Sequence, residues 1–172
     1  MSDYEDLTAC ALDDDMEQQL LDAARECVFQ WTNKAGEPFG VIMSFLEVDG
    51  TIWLTAAETR ARISAIRRDP RVAITVTSVG TGLRGGMTAS YKGIATVHRS
   101  REIKDWFYPT FCGKIRADDP AARDAFQKHL DSPDRVVIEV RTHYKLTFDS
   151  AKMWTRSPDA VPESRRAELG LA

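Results

Sequence analysis

Cysteine is sparse in this sequence and poorly spaced for chemistry. The three thiols, Cys10, Cys27 and Cys112, form no C-x-x-C pair. Neither a disulfide framework nor a zinc ribbon fits, and all three read as reduced thiols. Histidine is equally scarce: His98, His129 and His143 share no metal-ligand spacing with one another, with a cysteine or with a carboxylate cluster. No Gly-x-Ser-x-Gly or Cys-His arrangement is present either, which removes support for hydrolysis by a side-chain nucleophile. No apolar run approaches the ~20 residues that cross a bilayer, and the start of the chain lacks the basic stretch and apolar segment of a secretory signal. The expectation is a cytoplasmic protein with no membrane partner. What is present is average globular usage over 172 residues, 43% hydrophobic and 28% charged, which excludes a disordered polymer and suffices for one domain with a core.

Charge is distributed unevenly. Residues 1–26 hold nine acids and a single base, Arg25, a net of −8, so the remaining chain carries 22 bases against 17 acids, a net of +5. Five of those bases are arginines between Arg60 and Arg71, a patch suited to an anion. Aromatic residues are not interleaved with them and the whole chain is negative, so nucleic acid is not an expected partner.

The segment up to Asp15 is polar and acidic and is expected to be mobile. From Met16, apolar residues at Leu20, Leu21, Ala24 and Val28 follow an Asp-rich start, the spacing of an amphipathic helix. Val28 to Thr32 reads as a strand, Lys34 to Pro38 as a turn, and Phe39 to Val48 as a second strand rich in β-branched and aromatic residues. Asp49-Gly50 supplies the two residues of positive φ that a tight hairpin requires, which returns Thr51 to Thr55 antiparallel. A short basic helix should run through Arg68 and stop at Asp69-Pro70, because the residue before proline is pushed out of the α region. Arg71 to Ser78 alternates as a half-buried strand does. A glycine-rich link then leads to a strand at Thr88 to His98. Helical pattern returns at Arg101 to Phe107 and Pro120 to Leu130. A final strand spans Arg135 to Phe148, with Ala151 to Thr155 as its extension, and a polar tail begins at Ser157. About six strands in hairpin-like succession, without βαβ alternation, predict a mainly β (α+β) fold: a small antiparallel barrel with flanking helices.

Gly80, Gly82 and Gly85 spell G-x-G-x-x-G, but that motif binds a dinucleotide only where it opens a helix, and here a strand follows. It reads as a flexible connection, with Arg84 free to face solvent or a ligand. The stretch Trp53 to Arg62 is more informative, since a strand ending in Thr55 passes through a short loop into a helix that bears Arg60 and Arg62. Unpaired helix N-terminal amides, the positive end of the macrodipole and guanidinium forks all suit phosphate. Charge-assisted bonds of about 1.5–3 kcal/mol each would anchor a phosphorylated cofactor. The alternative is a solvated basic face. Arg67, Arg68 and Arg71 fit better as partners of the helix C-terminus and nearby acids.

The order of elements, together with Asp49-Gly50-Thr51-Ile52-Trp53-Leu54-Thr55, Arg60-Ala61-Arg62 and Ile66-Arg67-Arg68-Asp69-Pro70-Arg71-Val72-Ala73-Ile74, resembles the pyridoxamine 5′-phosphate oxidase-like family. The resemblance runs from about Leu20 to Phe148. It implies a six-stranded antiparallel split β-barrel over residues 16–156, between a 1–15 acidic segment and a 157–172 tail. It further implies a homodimer with FMN or the deazaflavin F420 at the interface, acting on a small organic substrate as an oxidoreductase. Carried over by position, Arg60 and Arg62 would contact the phosphate and Thr55 the ring or ribityl region. Ser78 and Lys92 on the next two strands would contribute, Gly93 would approach the ligand, and Trp154 would reach the partner's site from the C-terminal strand.

Two departures bear on function. The Arg-x-His of true pyridoxamine phosphate oxidases is matched only by Arg141-Thr142-His143 inside the last predicted strand, which argues against vitamin B6 chemistry. The position of Arg62 is often lysine in the F420-using branch, which leaves FMN and F420 both open. A protein of the same fold that carries flavin or haem without turnover is the alternative, with His98 or His143 as axial ligand.

Overall fold

The computed structural model describes residues 7–166, so the expectations for residues 1–6 and 167–172 lie outside the described residues. In chain order the elements are α1 (Asp14–Ala23), β1 (Glu26–Thr32), β2 (Pro38–Ser44), β3 (Leu46–Val48), β4 (Thr51–Ala57), α2 (Ala61–Arg68), β5 (Arg71–Thr77), β6 (Met87–His98), α3 (Arg101–Ile115), α4 (Pro120–Leu130), β7 (Arg135–Asp149), α5 (Ser150–Arg156) and α6 (Glu163–Arg166). Short 3-10 turns occupy Leu7–Cys10 and Pro158–Ala160. The strands form one antiparallel sheet in the order β2-β1-β5-β6-β7-β4-β3. This is the mainly β, helix-flanked architecture that the strand pattern predicts, with seven strands instead of six. The extra strand arises because the Phe39–Val48 run breaks at Phe45. That residue is fully buried and its N–H bonds the Arg25 carbonyl at 3.4 Å, so the chain leaves β1 as partner and takes up β4.

The described chain divides into two compact units. The larger comprises Arg25–Ile74 and Tyr91–Tyr144. Its hairpins follow local rules: Asp49 and Gly50 both take positive φ, 51° and 77°, and β3 and β4 pair around them. Helix α2 ends as expected, with Asp69 extended at φ −136° and ψ 103° before Pro70. Helix α3 runs well past Phe107 and through Pro109 to Ile115. Proline costs the helix one backbone bond. Burial of Phe107, Tyr108, Phe111, Cys112 and Ile115 against Leu46, Trp53 and Val137 outweighs that loss. Gly93 is fixed by packing inside the sheet. A Cβ there would lie 2.6 Å from Val140 Cγ1 and 2.8 Å from the Arg141 carbonyl, so β6 and β7 can approach only at glycine.

The smaller unit gathers the described parts of Met1–Ala24, Thr75–Ser90 and Lys145–Ala172. Cys10 and Leu12 are buried in it, and Leu12 N–H donates to Thr147 Oγ1 at 3.0 Å. The acidic N-terminal charge finds lysines. Lys145 reaches Asp14 and Glu17, and Lys152 reaches Asp13 and the Ala11 carbonyl. Residues Ser150–Arg156 are helical, which corrects the expected strand extension. The Asp149 side chain accepts the Ala151 N–H at 2.8 Å and so caps a helix. The glycine link is a loop closed by Ser78. Its hydroxyl donates to the Gly85 carbonyl and accepts the Met87 N–H, each at 2.9 Å, and strand β6 follows, as the rejection of a dinucleotide motif requires.

Candidate functional site

The basic corner forms where β4 gives way to α2. Arg60 is extended at φ −67° and ψ 138° and caps the helix by backbone alone, with its side chain exposed. Arg62, one residue into α2, is half-buried and lays its guanidinium 6.0 Å from the centroid of the Trp31 ring. Its Nε is buried and has no hydrogen-bond partner among the described residues. Burial, and then the charges of Arg60 and Arg135, push the Arg62 guanidinium below its ordinary value. An orphaned donor on a cation among other cations is costly in the ligand-free protein. It fits a site whose acceptor is an anion supplied from outside.

The neighbouring arginines behave differently. Arg67 and Arg99 both bond Glu58, whose carboxyl is held below the usual range by those two hydrogen bonds. Arg68 donates to the Thr32 carbonyl at 2.9 Å. Arg71 makes a two-pronged contact with Asp69, whose carboxyl is lowered to about 2, mainly by that side-chain bond. Arg67, Arg68 and Arg71 are thus structural partners, as the sequence indicates. The corner cations Arg60, Arg62 and Arg135 meet no carboxylate among the described residues.

Arg135 is the residue that sequence reading misses. It opens β7, directly opposite Ala57 at the end of β4. Only the pairing register reveals this, because nothing local distinguishes an arginine at the start of a strand.

Thr55 faces α3. Its hydroxyl donates to the Val136 carbonyl at 3.0 Å, leaving its oxygen to accept from the buried Tyr108 hydroxyl at 3.3 Å. Burial raises the Tyr108 phenol above its ordinary value. Lys92 is exposed on β6 with its ammonium 4.8 Å from the Tyr144 ring centroid. Thr55, Arg60, Arg62 and Lys92 thus belong to the larger unit, whereas Ser78 and Trp154 belong to the smaller. Trp154 is half-buried and sits on α5, not on a strand.

A second polar cluster lies in the larger unit. Glu139, 6% exposed, accepts from Arg141 Nε and pairs with His98 Nε2, both at 2.7 Å. Burial alone would raise its carboxyl, but the bonds from Arg141 and His98 outweigh it and hold it below the usual range. The His98 ring lies 5.9 Å from that of Trp53, which meets Trp106 edge-on at 4.9 Å. His143 is exposed on β7.

An antiparallel, helix-flanked sheet with a basic corner between a strand end and a short helix is the architecture of a split β-barrel. The pyridoxamine 5′-phosphate oxidase family model matches residues 16–146, and the chain belongs to that family. The chain is similar to the conserved hypothetical protein Rv2991 from Mycobacterium tuberculosis, with a TM-score of 0.72 at 16% identity over 85% of this chain and 90% of that one. It is also similar to a structure described as an F420 reductase, with a TM-score of 0.57 at 19% identity over 75% of this chain and 94% of that one. HutZ, the haem storage protein from Vibrio cholerae, shares the fold with a TM-score of 0.59 at 8% identity over 79% of this chain and 94% of that one. At these identities the likeness concerns the fold. No curated protein matches the sequence.

Proposed function

We propose that this protein is a flavin-dependent oxidoreductase that anchors FMN or F420 by its phosphate at Arg60 and Arg62 and acts on a small organic substrate. The observation that carries the reading is the buried Arg62 Nε, which has no acceptor among the described residues and is set among cations that no described carboxylate neutralises. When bound, the cofactor ring supplies hydride or electron transfer. The chain's own residues bind and orient. Arg60 and Arg62 clasp the phosphate, Trp31 backs the Arg62 guanidinium, and no side chain is required as acid or base. Thr55 fixes Tyr108, and Lys92 contributes toward the ring.

We place the protein in the cytoplasm as a homodimer. Val28 and Ile42 oppose each other in register on β1 and β2 and are both exposed, which gives a second copy an apolar surface. Among the described residues no helix is long and apolar enough to cross a membrane.

The test is optical. The purified protein should carry, or take up on titration, FMN or F420, with quenching of cofactor fluorescence and a saturable endpoint. A protein that remains colourless in the presence of both is not a flavin enzyme. The alternative, a haem or flavin carrier without turnover, draws on His98: Glu139 holds one ring nitrogen as a carboxylate does behind a metal-ligating histidine, and the other has no partner among the described residues. A Soret band lost in His98→Ala would favour it.

A further inference from the structure

The corner holds more positive charge than one singly ionised phosphate needs, and its third cation is unusually well fixed. The turn Asp131 to Arg135 is tied down from three sides. Arg101 of α3 grips both Asp131 oxygens at 2.8 and 2.7 Å, and Lys104 donates to the Ser132 carbonyl at 3.3 Å. At the end of β4, the Glu58 N–H donates to the Asp134 carbonyl at 2.8 Å. The Arg135 N–H closes the turn onto the Ser132 carbonyl at 3.2 Å. The backbone of Arg135 is thus held at the end of β4, opposite Ala57, and its half-buried side chain meets no acid among the described residues. Glu58 and Asp131, the carboxylates on the same segments, are occupied by Arg67, Arg99 and Arg101, and the exposed Asp134 pairs with none of the three corner arginines. Helix α3 therefore holds, through Arg101 and Lys104, the turn that leads into Arg135.

We propose that Arg135 is a specificity-determining residue, the third arm of a three-guanidinium cradle that selects a terminal, doubly ionised phosphate monoester over a bridging, singly ionised diester. This rests on the phosphate-anchoring reading above and takes it further, because it separates the two cofactor chemistries. The FMN phosphate is terminal and offers three oxygens and close to two charges near neutral pH, one acceptor face for each guanidinium. The F420 phosphate is esterified on both sides, so one charge and two free oxygens satisfy two arms and leave the third unpaired. The third arm therefore adds binding energy for the monoester and none for the diester.

The experiment is fluorescence titration of the full chain, as wild type, Arg135→Gln and Arg135→Lys, with FMN, F420 and riboflavin, and with circular dichroism confirming that each variant is folded. Wild type should bind FMN at least about tenfold more tightly than F420. Arg135→Gln should weaken FMN by about 10- to 100-fold while changing F420 by no more than about threefold, which inverts or erases the preference. Riboflavin, without phosphate, should be unchanged, and Arg135→Lys should recover part of the FMN affinity. Equal loss for FMN and F420, or an Arg135→Gln protein that binds FMN as wild type does, overturns the proposal and leaves the phosphate anchor at Arg60 and Arg62 standing. If wild type binds none of the three ligands, the anchor reading fails and this proposal falls with it.

Discussion

Replacing Arg62 by methionine should make the cofactor-free protein more stable, although the same change removes its ability to hold phosphate. In the ligand-free protein Arg62 brings an orphaned buried donor, which costs about 1–3 kcal/mol. Against that stands the contact over Trp31, which at 6.0 Å lies at the limit of a cation–π interaction and contributes about 0.5 kcal/mol. Methionine keeps a flexible apolar chain over the same ring, removes the orphan and relieves repulsion from Arg60 and Arg135. The net gain is about 1–2 kcal/mol, or about 3–6 °C in melting temperature for a chain of this size. Arginine stays charged throughout the working range, so the gain should be flat with pH. Thermal melts followed by intrinsic fluorescence report on the right region, because Trp31, Trp53 and Trp106 all lie in the larger unit. In the same assay, FMN at about 100 times its Kd should stabilise wild type by about 2.7 kcal/mol and leave Arg62→Met unmoved. An Arg62→Met protein that melts lower than wild type, or that gains the full FMN shift, would refute the reasoning. The first outcome would mean that Arg62 is a structural residue, and the second that the phosphate sits elsewhere.

The remaining predictions concern the frame around the site. Glu139→Gln should cost about 1–2 kcal/mol near neutral pH, chiefly through His98, since Arg141 is largely exposed. Because the Glu139 carboxyl is held below its usual range, its ionic contribution is complete above the unfolded value near pH ~4.3 and fades as pH falls through the folded one. The gap in melting temperature between wild type and variant should accordingly close in acid, and a gap that widens there contradicts the pairing. Gly93→Ala should destabilise by at least about 1–3 kcal/mol, because its Cβ would strike Val140 and the Arg141 carbonyl, and a denaturant midpoint equal to wild type would show that β6 and β7 can part. Thr55→Val should leave the buried Tyr108 hydroxyl without its acceptor and cost about 1–2 kcal/mol, with FMN affinity changed far less than in Arg62→Met. The reverse pattern in a paired melt and titration would put the Thr55 hydroxyl on the cofactor.

Where conformation depends on neighbours in sequence, the chain alone determined the outcome. Asp49-Gly50 makes its hairpin because both residues accept positive φ, Asp69-Pro70 ends α2 because proline restricts the residue before it, and the alternation from Val72 to Val76 buries one face of β5. The family match, over residues 16–146, spans these stretches. Helix α5 was equally local: Asp149 is a good cap, although the apolar texture of Ala151 to Thr155 reads as strand. Tertiary structure decided the rest. Helix α3 continues through Pro109 because its aromatic face finds Trp53 and Val137, burial that no window of sequence can weigh against a lost backbone bond. Thr55 turns to Tyr108 because α3 covers β4 on that side. The third cation reaches the corner because β4 and β7 pair in a register that sets Ala57 opposite Arg135. The arginines near Arg60 look alike in sequence. Which of them lack an acid was fixed only when Glu58, Asp69 and Asp131 claimed partners and left Arg60, Arg62 and Arg135 with no carboxylate among the described residues, since a charge is neutralised by what lies close in space.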